Sequence, residues 1–284
     1  MISPKLWDKG ERISNRLSKI CRQNNCQKKV AFMHIPKCAG TSVMESLRRN
    51  RQSSWQGHVD GPKTRADYLK YFAGETNSLS RWEMEQCIYK YRQAILLEKF
   101  KQNAPIISGH VPFFKALKYD YPDYYFFTIV RNPIDRWISY FNFGIKRGLH
   151  ENITPELITS KGISYVFDQV LDSESGFLEA HILSQFFSEP KGFEVSKMTT
   201  SSSMNLTMGM FDYIGHTENM DELRVVLCKE GIISENDLIG RHNSTRSEKY
   251  DSNIVSLHSL SSRQKFQLES LCANDCKLYQ RYLT

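Results

Sequence analysis

The chain has 284 residues, of which 40% are hydrophobic and 24% are charged, and its formal net charge is +7. This composition is that of an ordinary globular protein, and it excludes an intrinsically disordered or collagen-like chain. No apolar run approaches the roughly 20 residues that are needed to cross a bilayer, so we predict no membrane partner.

The N-terminal residues 1–28 are polar and basic, without the apolar core of a signal peptide. The chain has seven cysteines, an odd number, which argues against a full disulfide framework. Both features favour a cytoplasmic protein. The length suits one large core, so we predict a single domain over 1–284, with 1–28 as an extension.

The first predicted strand, residues 30–35, leads directly into the loop sequence PKCAGTS and then into a helix predicted over 41–50. The first N–H groups of a helix have no intrahelical acceptor and lie at the positive end of its dipole, so they bind anions. Lys37 adds a positive charge, and Thr41 and Ser42 add hydroxyl donors. The segment therefore predicts a site for phosphate or sulfate.

The order of residues in this loop argues against an ATPase or kinase. Those loops read G-x-x-x-x-G-K-[ST], with the lysine after the last glycine and the hydroxyl on magnesium. Here Lys37 precedes Gly40, and no glycine opens the loop. No acidic magnesium ligand follows a second apolar strand, so we predict no metal site.

The next segment is predicted to be a loop over 51–64, followed by helices over 65–73 and 80–102. The apolar stripe of the second helix consists of Trp82, Ile88, Tyr91 and Ile95. A short strand over 106–108 ends at Gly109 and His110. We expect His110 at the ligand-binding edge of the sheet, near Lys37.

A second motif follows the strand predicted over 125–130, which is aromatic and β-branched as a buried strand would be. It continues as RNPIDRWISYF, with Pro133 in the first turn of a helix that runs to about 147. Arg131 then lies where open α/β sheets bind ligands. Ser139 follows about two helical turns later and is predicted to approach the same phosphate group as Arg131.

The remaining elements continue the alternation of helices and strands. They are predicted as helices at 163–171 and 176–187, a strand at 211–215, and helices at 219–230 and 261–281. Such alternation predicts a parallel sheet with helical crossovers. We therefore predict an α/β fold with a central parallel β-sheet flanked by helices.

The two motifs together resemble those of sulfotransferases that use 3′-phosphoadenylyl sulfate (PAPS), in particular the uronyl 2-O-sulfotransferase branch of the carbohydrate enzymes and its bacterial relatives. The resemblance implies that the α/β fold is a three-layer P-loop-like sandwich with a central parallel β-sheet flanked by helices. It implies that the first loop holds the 5′-phosphosulfate and that Arg131 and Ser139 hold the 3′-phosphate. It also implies a basic adenosine contact at 241–246, where Thr245 and Arg246 are our choices. The residues assigned to the first loop are Lys37, Cys38, Ala39, Gly40, Thr41 and Ser42.

Sulfuryl transfer is an in-line displacement that depends on positioning and on charge stabilisation. Lys37 is our candidate for stabilising the leaving phosphate. His110 is our candidate general base, because the related enzymes have H-G-H-V where this chain has Ser108-Gly109-His110-Val111. Serine in place of the first histidine argues against a uronic acid acceptor more than against the reaction. His181 is the alternative base.

We therefore predict a sulfotransferase that transfers the sulfuryl group of PAPS to a hydroxyl of a sugar or small natural product and releases 3′-phosphoadenosine 5′-phosphate (PAP). The alternatives are N-sulfation of an amine or carbamoyl acceptor, and a catalytically silent nucleotide- or glycan-binding module. The positive charge would attract the anionic donor. Basic residues are scattered and no nucleic-acid-binding motif occurs, so we predict no nucleic-acid partner.

Overall fold

The structure is a computed structural model that describes residues 28–51, 57–76, 79–150, 152–187, 207–234, 239 and 254–281. Within these residues five parallel strands form one sheet, in the order β2-β3-β1-β4-β5. The strands are β1 (Lys29–Met33), β2 (His58–Val59), β3 (Ile106–Gly109), β4 (Tyr124–Val130) and β5 (Tyr213–His216). The predicted α/β class with a central parallel sheet is confirmed.

Helices connect the strands and cover both faces of the sheet. In chain order they are α1 (Gly40–Arg51), α2 (Gly61–Thr76), α3 (Arg81–Lys101), α4 (Ala116–Asp120), α5 (Pro133–Arg147), α6 (Pro155–Lys161), α7 (Ile163–Leu171), α8 (Glu174–Ala180), α9 (Ile182–Phe187), α10 (Met220–Lys229), α11 (Ser262–Leu271) and α12 (Ala273–Gln280).

The sheet separates two apolar layers. On one face, α1 and α10 pack their apolar side chains against the strands, with Val43 and Leu223 among the fully buried residues. On the other face, α3, α9 and α12 do so, with Leu96 and Phe186 among theirs. A third cluster joins α5 and α7 to α11 around Trp137. The arrangement is the predicted three-layer sandwich.

Three local predictions are wrong, and the first is the helix predicted over 176–187, which is two helices, Glu174–Ala180 and Ile182–Phe187, separated by His181. The segment 51–64 contains β2 and the start of α2, because His58 and Val59 pair with β3 although two residues are too few to show a strand pattern. The single helix predicted over 261–281 is two helices that meet at Cys272. The second one carries Asp275, whose buried carboxylate accepts the amides of Leu183 and Ser184 at the start of α9.

The register of the sheet brings the predicted site residues to one edge. Met33, the last residue of β1, pairs with Gly109 of β3 and with Thr128 of β4. The residues that follow β1 and β3 are therefore neighbours, and β4 extends two residues further before Arg131. This carboxyl edge is where open parallel sheets bind their ligands.

Candidate functional site

The loop between β1 and α1 has a backbone suited to an anion. Lys37 and Ala39 have positive φ angles of 67° and 55°, a left-handed conformation that is unusual for residues other than glycine. Alternation of this kind turns successive N–H groups toward one concave face. The amide of Cys38 donates to the carbonyl of Ile35 at 3.3 Å and closes the turn. The first amides of a helix have no acceptor within that helix, and the helix dipole is positive at this end, so the start of α1 suits an anion.

Gly40 begins α1 because a side chain would not fit there. A Cβ atom on Gly40 would lie 1.7 Å from Nε2 of His34. The imidazole of His34 therefore rests on the first residue of the helix. The glycine allows the loop to stay compact, and the contact fixes the direction in which the helix N-terminus points.

Lys37 lies among other cations at this edge. Its Nζ is 3.8 Å from the centroid of the Phe143 ring on α5. Burial, then the positive charges of Arg131 and Arg136, lower the pKa of Lys37 to about 8. A lysine in such a position gains interaction energy when an anion arrives, because the anion offsets the repulsion between the cations.

The start of α5 is fixed by its cap. The Asn132 side chain accepts the amides of Ile134 and Asp135, and Pro133 is the first helical residue. Arg131 precedes this cap, half-buried, and Ser139 lies two turns along the helix and is also half-buried. Arg131 thus lies at the start of α5, close enough to Lys37 for its charge to act on the lysine, whereas Ser139 lies in the middle of the helix.

Arg136 anchors this region rather than facing solvent. It is 1% exposed, and its guanidinium pairs with the Glu179 carboxylate at 2.9 Å and also donates to the Glu179 carbonyl. Sequence analysis missed both residues. The only signal in the sequence was the adjacent charged pair Asp135-Arg136 within the second motif. That pair did not identify Glu179 on α8 as the partner of Arg136.

His110 occupies the neighbouring position on the same edge. Its Nδ1 lies 2.9 Å from the main-chain oxygen of His34. A carbonyl can only accept, so Nδ1 carries the proton and Nε2 holds the lone pair. The pKa of His110 is lowered to about 4, chiefly by burial; the hydrogen bond to His34 raises it, and interactions with Arg92, His58 and Lys37 lower it. The imidazole is therefore neutral at physiological pH and able to accept a proton.

Two further histidines line the same cavity of about 430 Å³. The ring of His34 lies 4.1 Å from that of His110, and Nδ1 of His58 lies 2.8 Å from the Ser108 hydroxyl. Burial lowers the pKa of both His34 and His58. Residues of α1 complete the lining: Thr41, Met44, Glu45, Arg48 and Arg49. The cavity thus joins neutral imidazoles to a charged helix face.

The other predicted site residues lie elsewhere or outside the described residues. His181 is 6% exposed, its Nδ1 is 2.8 Å from the Phe177 carbonyl, and it does not line this cavity. The structure gives it the role of a packed residue. Thr245 and Arg246 lie outside the described residues, as does the rest of 241–246.

Sequence analysis also missed His58 and Arg92. His58 lies on the two-residue strand β2, which no periodic pattern reveals. Arg92 lies on the buried face of α3, which consists of Ile88, Arg92, Leu96 and Phe100 rather than the predicted stripe. An arginine four residues after one apolar position and four before another was the available signal.

Across the described part of the chain, no group of three or more His, Cys, Asp or Glu side chains is arranged to hold a metal ion. No helix among those same residues is long and apolar enough to cross a membrane.

Comparison with known families gives one result. Residues 24–280 match the sequence model described as "Sulfotransferase family". This match covers the sheet, both motifs and the carboxyl-terminal helices. No curated protein sequence matches the chain significantly.

Proposed function

The chain belongs to the sulfotransferase family, and we propose that it transfers the sulfuryl group of PAPS to a hydroxyl of a sugar or small natural product. The whole chain, 1–284, is the proposed catalytic unit. Membership of the family establishes the enzyme class. The geometry of the carboxyl edge supports the proposed donor, the proposed acceptor and the roles of the residues that act on them.

The proposed donor site begins at the loop after β1. The amides of Gly40, Thr41 and Ser42 at the start of α1 would hold the 5′-phosphate, since they lack intrahelical acceptors. Lys37 would move from Phe143 to the oxygen that bridges phosphate and sulfur. There it would stabilise the charge that develops as this bond breaks.

The 3′-phosphate of the donor is assigned to Arg131 and Ser139. Arg131 is close enough to Lys37 to lower the pKa of that lysine, so a ligand with two phosphates can bridge the two cations. Thr245 and Arg246 are proposed as a third contact with the nucleotide. PAPS would thus lie along the edge from β1 to β4, with its sulfur toward β3.

The proposed base is His110. Nε2 would take the proton of the acceptor hydroxyl as the hydroxyl oxygen forms its bond to sulfur. The bond from sulfur to the phosphate oxygen breaks in the same step, and PAP leaves with the electron pair. Negative charge on the bound donor would raise the pKa of His110 from about 4 toward neutrality, where a general base is most effective.

The observation that carries this proposal is the proximity of the positive charge of Lys37 to the neutral imidazole of His110 at one edge of the sheet. Lys37 and His110 are near enough that the charge of the lysine lowers the pKa of the histidine. The lysine serves a leaving group and the histidine serves a nucleophile, so together they suit a displacement between them. A module that only binds a nucleotide would need the first and not the second.

The relation to uronyl 2-O-sulfotransferases remains part of the proposal. Ser108 replaces the first histidine of their H-G-H-V sequence, but here its hydroxyl lies 2.8 Å from Nδ1 of His58 on the adjacent strand. An imidazole is therefore still present beside His110. Because of this replacement, we propose a hydroxyl acceptor without restricting it to uronic acids.

The test is transfer of ³⁵S from labelled PAPS to a panel of hydroxyl acceptors, with amines and carbamoyl compounds as a second panel. The proposal predicts label in a hydroxyl acceptor, formed without added magnesium. Label in the amine panel alone would support N-sulfation instead. PAP binding with no transfer to either panel would support the silent module.

A further inference from the structure

Arg92 is buried beside the proposed base and forms no ion pair with the residues that the structure describes. It is 7% exposed, on the inner face of α3. Its Nε donates to the Thr64 hydroxyl at 2.9 Å and its Nη2 to the Gly61 carbonyl at 2.8 Å. Its Nη1 lies 3.4 Å from the His110 carbonyl, a long hydrogen bond. No carboxylate among the described residues pairs with it, and the guanidinium faces the Tyr89 ring at 5.6 Å.

Such a residue is costly to the fold. Burial lowers the pKa of Arg92, which shows that the environment opposes the charge. The charges of Glu85 and Asp60 offset part of this cost, but the hydrogen bonds of Arg92 go to neutral acceptors only. A buried charge without a paired carboxylate is destabilising relative to an apolar side chain of similar size. Arg92 lies in the stripe of Ile88, Leu96 and Phe100, where methionine or leucine would pack well. Its contacts therefore point to a role other than stability.

We propose that Arg92 is a positioning residue for His110: it joins α3 to the first turn of α2 and to the main chain at His110, and so holds the imidazole with Nδ1–H on His34. This inference rests on the proposed function, because it treats His110 as the base. Arg92 itself does not contact the reacting atoms.

Gly61 provides the mechanical link. A Cβ atom on Gly61 would lie 3.4 Å from Cδ2 of His110 and 3.7 Å from Nη2 of Arg92. Because Gly61 has no Cβ, a space of about one methyl group remains between its backbone and the imidazole, and Arg92 fixes the backbone at that distance by donating to the Gly61 carbonyl. Asp60 begins the same turn by accepting the Lys63 amide at 2.7 Å. If Arg92 releases Gly61, the ring gains room to turn away from His34.

Charge is the second link. The groups that face His110 are Lys37 from the loop, His34 after β1, His58 of β2 and Arg92 of α3, and each of the four is neutral or cationic. From α1, Arg48, Arg49 and Glu45 line the same cavity. The charge of Arg92 therefore disfavours protonation of His110, and its removal would raise the pKa of the histidine.

The test is histidine NMR on protein labelled with ¹⁵N-histidine, which reports both the pH titration and the tautomer of each ring, with His110→Gln to assign the signal. Arg92→Met removes both the hydrogen-bond donors of the guanidinium and its positive charge. Arg92→Lys keeps the positive charge but lacks the planar guanidinium that donates to Thr64, Gly61 and His110. Arg65→Met is the matched control, because Arg65 joins the same two helices through Glu85 without touching His110.

For Arg92→Met we expect the His110 pKa to rise by about one unit or more and the Nδ1–H form to lose its dominance. For Arg92→Lys we expect a titration near that of the wild type but a mixed tautomer, and for Arg65→Met no change in either. If Arg92→Met fails to fold, Thr64→Val serves instead, because it removes one acceptor of the guanidinium. We expect it to lower the population of the Nδ1–H tautomer of His110.

A folded Arg92→Met protein whose His110 titrates and tautomerises as in the wild type would overturn the proposal. For a non-folding Arg92→Met, an unaltered tautomer in both Arg92→Lys and Thr64→Val would do so. PAP binding by calorimetry on the wild type separates the two proposals. Absence of PAP binding would contradict the proposed function while leaving the His110 measurement valid.

Discussion

The two halves of the carboxyl edge differ in their titratable groups although they belong to one sheet. On the β1–β4 side, Lys37, Arg131 and Arg136 lie close together, and Glu179 is the counter-charge that pairs with Arg136. On the β3–β2 side, His34, His58 and His110 have lowered pKa values and are neutral. One half is built to receive an anion and the other to receive a proton.

This difference shows how a fold can place binding and proton transfer next to each other. The cations need an anionic ligand to relieve their mutual repulsion, so they bind best what is most negative. Burial keeps the imidazoles neutral, and the charge of Lys37 adds to this effect at His34 and His110. A ligand that neutralises the first half thereby changes the proton affinity of the second, which couples donor binding to base strength.

The largest expected effect is on the proton-accepting half. His110→Gln keeps a side chain that can donate to the His34 carbonyl but removes the lone pair of Nε2. We expect single-turnover transfer of ³⁵S from PAPS to fall by about 10²- to 10⁴-fold, the usual contribution of a general base. His258→Gln is the control, since His258 is exposed near the 3₁₀ turn Leu257–Ser259. A loss below tenfold for His110→Gln would show that another group takes the proton.

The next effect is on the anion-binding half. Arg131→Met should weaken PAP binding by roughly 10- to 100-fold, because a charge-assisted contact with the 3′-phosphate is worth about 1.5–3 kcal/mol. Arg147→Met, an exposed arginine at the other end of α5, should change PAP affinity less than twofold. Calorimetry measures both. Equal losses for the two variants would indicate long-range attraction rather than a specific site.

A third expectation concerns the contact between Gly40 and the ring of His34, where the two halves of the edge meet. Gly40→Ala should destabilise the fold by about 1–3 kcal/mol, because the added Cβ meets the His34 ring and forces overpacking. Gly148→Ala is the matched control: no atom lies within 4 Å of its Cβ position, and the cost is that of a left-handed φ of 61°, about 1 kcal/mol. Urea unfolding followed by circular dichroism compares them. A smaller loss for Gly40→Ala than for Gly148→Ala would show that His34 moves aside freely.

The smallest effect is a pH dependence of donor binding. The pKa of Lys37 is about 8 in the free protein, and an anion beside the lysine raises it. The contribution of Lys37 to PAP affinity is therefore complete below pH 8 and is lost as the pH rises above 8. We expect the dissociation constant to increase by less than tenfold per pH unit between 8 and 9.5. Lys37→Met should remove this dependence, and its persistence in that variant would assign it to another group.

Much of the fold could be predicted because its signals are local. The apolar run of β4 is buried at all seven positions, and α5 begins at Pro133 after an asparagine cap. The order of strands along the chain with helices between them led directly to a parallel sheet. The strand order and β2 were not predictable in this way, since they depend on pairing between distant residues.

The site could be predicted in part, for a similar reason. Lys37, Arg131 and His110 follow strands, and the ends of parallel strands meet at one edge, so their approach followed from the chain itself. Arg92, Glu179 and His58 act through contacts with other elements. The chain places Arg92 18 residues from His110 and 31 from Gly61, separations that no helical or strand period relates.

The most direct test of the divided edge is calorimetry of PAP binding to Lys37→Met and His110→Gln, measured beside the wild type at pH 7. The account predicts that Lys37→Met raises the dissociation constant by at least tenfold, whereas His110→Gln leaves it within twofold. An equal loss of affinity in both variants, or none in Lys37→Met, would contradict the division into an anion-binding half and a proton-accepting half.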